Sequence, residues 1–360
     1  SEIKNLYDDK VLDENTFSFT RKDINVSPLL YEEKEQVQLL EESSHRIISL
    51  SNSEFTGNMK TIHINNDVSS TEITNSKFID CNLPEDEEYL FVVEKQYTFE
   101  NVDFSFEKTK IGAIKIISSE SVIIRNCLFK NCATKNGNAI YINGDLNTKS
   151  IKETSEKYVI IEESIFLSIE ARGHAVLALD HQNVTIRTSI IDYSESEEPG
   201  GGILIENCGI CKVYDNQIIK TKLYGINYIL NKEPAADDEL SIYNCSFEEC
   251  TGECCHFDVQ SNIAISIYVD SCIFENCKRY EGQISTAIGA VETANSIKLT
   301  IISNIFNNCG QHSESTYVIH LKMNASPEGL EAINIENNTF HNDDASKSCN
   351  ALRVNQQGRE

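Results

Sequence analysis

A phenylalanine-centred repeat is the feature that most narrows what this chain can fold into. With Phe129 of "NCLFKNC" (126–132) as anchor, equivalent positions recur at Phe55, Phe78, Phe104, Phe166, Ile191, Ile218, Phe247, Phe274, Phe306 and Phe340, eleven units spaced 23 to 37 residues apart. Five residues before every anchor the side chain is apolar, from Leu50 and Ile73 through Ile124 and Val213 to Ile335, and seven before, only Thr71 is polar. The positions between are mixed, as at Ser241 and Tyr243. Alternation with period two marks a strand that buries one face. A second apolar segment follows the anchor, clearest in "IGAIKI" (111–116), "GNAIYI" (137–142), "GHAVLA" (173–178), "GGGILI" (200–205) and "STYVIHL" (315–321). Units this short leave no room for the helices of a strand-and-crossover fold. The expected fold is therefore all-β: a right-handed single-stranded parallel β-helix, a solenoid of about eleven coils. Handedness rests on the general preference of parallel crossovers.

Coils stacked about 4.8 Å apart place equivalent residues above one another. Two before the anchor stand Ser76, Cys127, Ser164, Ser189, Cys245 and Cys272, and three after it stand Cys81, Cys132, Cys250, Cys277 and Cys309. Free thiols act as compact hydrophobes, so most of the 13 cysteines read as interior packing near corners. Asn52, Asn75, Asn101, Asn126, Asn244 and Asn337 lie three before the anchor, which suits an asparagine ladder whose amides bond from coil to coil. The structural ladder drawn from these columns is Cys81, Asn126, Cys127, Phe129, Cys132, Cys245, Phe247, Cys250, Cys272, Phe274, Cys277, Phe306 and Cys309.

The pairing of "FKNC", "FEEC", "FENC" and "FNNC" with "GNAI", "GGGI" and "IGAI" resembles the passenger region of the polymorphic outer membrane protein (Pmp) family and similar right-handed β-helix repeat surface proteins. The likeness spans roughly residues 45 to 355. It implies a surface-exposed, adhesin-like role. The chain departs from that pattern in using cysteine where the family's motif more often has asparagine, and its 360 residues include no transporter barrel.

Charge and patterning exclude several function classes. Against 31 Lys and Arg stand 56 Asp and Glu, a net charge of −25, which repels nucleic acid over most of the surface. No apolar run of about 18 residues offers a membrane span, and "SEIKNLYDDK" has no signal-peptide core. Polysaccharide-cleaving β-helices carry acids and bases on the outer face of one strand column. The alignment puts Lys115, Tyr141, Leu177, Leu204, Asn227, Asp258, Gly289, Ile319 and Arg353 there, with one carboxylate. Glycoside hydrolysis needs two, about 5 to 10 Å apart. Glu100, Arg125, Glu162 and Arg187 on successive coils read as a structural charge ladder. His174 and His181, flanking "AVLALD" with Asp180, have no nucleophile beside them. Cys250, Cys254, Cys255 and His256 are the best metal candidates, and Cys208 with Cys211 forms a C-x-x-C, yet neither has a second half at zinc-ribbon spacing. Adjacent Cys254 and Cys255 are expected on opposite faces of a strand, with at most one buried. No catalytic residue, cofactor or metal is assigned. Asn183 and Asn324 are the accessible glycosylation sequons; Asn244 and Asn337 belong to the ladder.

Residues 1–44 are expected to form an N-terminal cap segment, partly helical over 28–44, and 45–360 the β-helix domain, continuing beyond the end of this chain. Polar loops at 143–157, 231–239 and 322–331 are candidate binding loops. The function expected is that of a non-enzymatic surface or interaction protein, presenting an elongated acidic face and loops to a protein or glycan partner, at the cell surface or secreted. The alternatives are a polysaccharide-active, pectate-lyase-like enzyme and a cytoplasmic scaffold or assembly component, the latter suited to unpaired cysteines.

Overall fold

The computed structural model describes residues 17–20 and, from 47 to 357, all but 60, 65–69, 108–109, 118–120, 133, 135–137, 145–156, 170–172, 195–199, 262, 280–284, 293–296, 310–315, 325–332 and 343–349. Each unit contributes three short strands, and like strands of successive units pair in parallel. They build three sheets of 12, 11 and 11 strands, called A, B and C here. Sheet A holds the alternating segment before the anchor, such as Val122–Arg125. Sheet B holds the anchor itself on three-residue strands such as Leu128–Lys130. Sheet C holds the second apolar segment, such as Gly112–Ile117. The Phe17–Thr20 strand extends sheet A by pairing with Ile47–Ser51. The expected helix over 28–44 lies outside the described residues.

Register explains why the anchors are aromatic. Phe104, Phe129 and Phe166 are direct partners on neighbouring strands, with ring centroids 5.2 and 4.7 Å apart and nearly parallel planes. Phe247, Phe274, Phe306 and Phe340 repeat this at 4.8 Å. Offset stacked rings at one coil spacing contribute about 0.5–1.5 kcal/mol per pair beyond the area they bury. Ile191 and Ile218 interrupt the column, and both are fully buried.

The corners explain the asparagines. The residue three before the anchor turns the chain from sheet A to sheet B with φ near +50°, as at Asn75, Asn101, Asn126 and Asn244. Asparagine tolerates this left-handed conformation better than most residues. Asn126 Nδ2 donates to Asn101 Oδ1 at 2.5 Å, and Asn101 Nδ2 to Asn75 Oδ1 at 3.0 Å. A second left-handed column follows sheet B, at Asp80, Asn131, Lys220, Glu249, Asn276 and Asn308.

The position after the first corner does more than fill space. The Cys127 N–H donates to Ser164 Oγ, Ser164 N–H to Ser189 Oγ and Ser189 N–H to Asn216 Oδ1, at 3.2, 3.1 and 2.9 Å. Cys272 N–H donates to Asn304 Oδ1 at 2.8 Å, and Asn304 N–H to Asn338 Oδ1 at 2.9 Å. Where the next coil offers a serine or asparagine, its side chain satisfies the corner amide, as buried backbone requires.

Twelve cysteines are buried and free. Thiols three after the anchor point at the carbonyl of the previous coil's anchor: Cys132 Sγ lies 3.2 Å from Phe104 O, and Cys309 Sγ 3.4 Å from Phe274 O. Cys254 and Cys255 are both fully buried, against the expectation from strand alternation. Cys254 precedes the Cys255–Val259 strand, and at that corner the bend turns both side chains inward. At the other end of the solenoid the Asn350–Gln357 strand is the edge of sheet C, and core-column residues Phe340, Leu352 and Val354 are 41, 44 and 38% exposed.

Candidate functional site

A continuous core leaves function to the outward side chains, whose columns follow from strand register. On sheet C the column runs Lys115, Tyr141, Leu177, Leu204, Asn227, His256, Gly289, His320, Arg353. Two expected members are corrected. Asp258 is replaced by His256, because Cys255 takes the first inward position that isoleucine holds in other coils. Ile319 is replaced by His320, because Ile319 is inward and fully buried. The column then carries no carboxylate. Asp258 sits one column over, separated from Glu206 by Ile229.

Sheet C does hold one constellation that sequence reading missed. Glu253, 7% exposed, lies in the corner before the Cys255–Val259 strand. Its carboxylate accepts hydrogen bonds from His256 Nδ1 and Ser285 Oγ. Room for it exists because residue 289 is glycine: a Cβ there would lie 2.2 Å from Glu253 Oε2. The Tyr224 ring stacks on His256 with centroids 4.8 Å apart. Ser285 and Glu253 come from different coils, so no local motif signals the cluster. The outward glycine in an otherwise bulky column is its sequence trace. Ser285 gives its proton to the carboxylate and is not aimed at the imidazole, so this is no nucleophile–base pair.

The remaining candidates are scattered. His174 begins the His174–Leu179 strand, and His181 lies beyond the corner that Asp180 makes at its far end. Burial holds both imidazoles down to about 4. Asp180 instead pairs with Lys232 at 3.2 Å, and Pro234 in the same 231–239 loop is buried, which folds that loop against the solenoid. His256 faces out while Cys250, Cys254 and Cys255 face in. Among the described residues, no group of three or more His, Cys, Asp or Glu is placed to hold a metal ion. Burial pushes the Cys81 and Cys127 thiols up to about 12, the opposite of an activated nucleophile. Glu162 is sandwiched between Arg125 and Arg187. Burial alone would raise its pKa, but hydrogen bonds from the two guanidinium groups outweigh that and hold it below the usual range. Asn183 is half-buried at the start of a sheet A strand, and Asn324 ends a sheet C strand.

Sheet A carries the most developed outer feature, a trough of about 560 Å³. One outward column supplies Lys212, Ser241, Tyr268 and Thr300, and the next supplies Tyr243, Asp270 and Ile302, with Tyr214 preceding Tyr243 in that column outside the lining. Glu239 stands on a third column, two residues before Ser241. Small Ser241 makes the floor, walled by Lys212 and Tyr268 on the adjacent coils and by Glu239 and Tyr243 on its own strand. Tyr243 and Tyr268 are 37 and 39% exposed. Tyr214 stacks on Tyr243 at 4.6 Å with planes 5° apart, and Arg187 Nη1 donates to Tyr214 Oη at 2.8 Å. The charge ladder Arg125–Glu162–Arg187 thus ends in a tyrosine stack that fixes one wall of the trough. Sequence reading had the strands but missed this site, because its walls come from three coils.

A family model described as right handed beta helix region matches residues 113–296, just over half of the chain. The chain belongs to the right-handed β-helix family. No curated protein matches it. Among solved structures, the comparison returns a mutant of the periplasmic alginate epimerase AlgG. It is 10% identical, covering 84% of this chain and 77% of that one, at a TM-score of 0.28. A likeness that distant tells nothing about activity or substrate.

In this β-helix the trough gathers aromatic, hydroxyl and charged side chains on one outer face. Its two carboxylates, Glu239 and Asp270, are four strand positions and one coil apart, which is about 14 Å between Cα atoms. Exposed aromatic rings on a rigid sheet, ringed by polar groups, give an apolar contact area with oriented hydrogen-bonding partners at its rim.

Proposed function

We propose that this β-helix is a non-enzymatic interaction protein of adhesin-like character, which presents the sheet A trough to a partner at a cell surface or in a secreted setting. The observation that carries this reading is the pair of exposed tyrosines, Tyr243 and Tyr268, flanking the Ser241 floor. Tyrosine on a fixed backbone offers large contact area at small entropic cost. The Pmp-like repeat motifs support the same reading. The test is retention of the whole protein on arrays of immobilised glycans and matrix proteins, beside a Tyr243→Ala/Tyr268→Ala variant. The reading expects retention by the parent and at least a tenfold loss in the variant; equal retention of both removes the trough from the account.

A second reading, a polysaccharide-active enzyme, draws on the Glu253-oriented His256, whose ring is held as in a general base. Release of reducing ends or unsaturated sugars from a panel of polysaccharides, abolished by His256→Gln, would favour it over the first.

A further inference from the structure

The trough's chemistry narrows its ligand, on the premise that the trough is the contact site at all. Tyr214 covers one face of Tyr243. On the next coil that stacking position belongs to Asp270, Tyr243's register partner. A third ring is therefore missing from the stack, and a carboxylate lines the place where it would lie. Tyr268 borders the same space from the neighbouring column of Asp270's own strand. Glu239 closes the far side of the Ser241 floor, and among the described residues Lys212 is the cation that lines the trough, itself exposed.

Three physical arguments act on what can enter. A flat saturated ring with C–H groups on its faces packs on tyrosine, and hydroxyls around its edge match the Ser241 and Thr300 hydroxyls and the two carboxylates. Two carboxylates against one ammonium make the trough acidic, within a chain of net charge −25. Anionic chains are repelled there, and a cation beside the open face of Tyr243 and the Asp270 carboxylate gains both charge and π attraction.

We propose that the sheet A trough binds a glycan containing amino sugars, one pyranose ring continuing the Tyr214–Tyr243 stack with its ammonium group toward Asp270. Chains of uronic acids are disfavoured by the same carboxylates.

Titration calorimetry on the whole protein tests this with three probes: a glucosamine oligosaccharide, its N-acetylated counterpart and an oligogalacturonate. The glucosamine chain should bind at least tenfold more tightly than the acetylated one, and the uronate should give no heat. Asp270→Asn should cut glucosamine binding about tenfold and leave the acetylated chain within twofold, whereas Ile273→Thr on sheet B should change neither. Far-ultraviolet circular dichroism of each variant checks that the solenoid is intact. Uronate binding as tight as glucosamine binding, or an Asp270→Asn variant that binds as the parent does, overturns the inference. Binding of none of the three sugars also overturns it. In that case array retention that still depends on Tyr243 and Tyr268 would leave the interaction reading standing, while retention independent of them would sink both.

Discussion

Single residues matter here according to their column. Phe129 touches a stacked ring above and below and is fully buried. Phe129→Ala should cost about 3–5 kcal/mol in urea unfolding, whereas truncating exposed Ile273 on sheet B should cost under about 1 kcal/mol. Equal losses would mean that the column is not the core. Histidine makes the pH dependence. His174 and His181 titrate near 4 when folded, against an ordinary value of 6.5. The unfolded chain therefore binds more protons between those values, and stability is full above 6.5 and falls as pH drops toward 4. The expected loss from pH 7 to pH 5 is about 1–2 kcal/mol per histidine. His181→Gln should flatten that slope; a parent whose stability is flat over this range would contradict the burial of both rings. The asparagine column was legible in the sequence because asparagine tolerates φ near +50° better than most residues, although Glu163, Thr188, Asp215, Ser271 and Ser303 take the same corner on other coils. The hydrogen-bonding role of Ser164, Ser189 and Asn216 was not, because a small residue in a corner looks the same whether it fills space or caps an amide.

At the scale of strands, register decided what could be read. The anchor column was recoverable residue by residue, since aromatic side chains at one spacing leave few alternatives. The outer column of sheet C was recoverable except where a corner held an unusual residue. Paired cysteines moved the apparent start of the 255–259 strand, and buried Val318 beside Ile319 hid His320. Sites assembled across coils were invisible for a related reason: Glu253 and Ser285 are 32 residues apart yet hydrogen-bonded. Gly289 reports on that cluster. Gly289→Ala places a methyl group where the Glu253 carboxylate sits, so the carboxylate must swing away and give up two hydrogen bonds. A stability loss of about 1–3 kcal/mol is expected. Pairing the change with Glu253→Gln should be less than additive, because both act on the same contacts. Full additivity would show that Gly289 serves something else.

Over the described residues the molecule is an acidic solenoid with twelve cysteines in its interior and side chains that differ from coil to coil on its outer faces. Twelve thiols are buried and free, so the native protein should leave those twelve unreactive toward a thiol reagent and release them on denaturation without reductant. Thiols that emerge only after reduction would mean that neighbours within a column, one coil apart and within the Cα range of a disulfide, have been joined. That result would also argue for maturation in an oxidising compartment. The central claim concerns where the solenoid meets its partner. Hydroxyl-radical footprinting of the whole protein, with and without a saturating glucosamine oligosaccharide, addresses it directly. Protection should concentrate on Tyr243 and Tyr268, with Ile165 and Ile273 on sheet B labelled equally in both samples. Protection centred on Tyr141, Tyr224 and His256 instead, or no protection of the two trough tyrosines, would contradict the account.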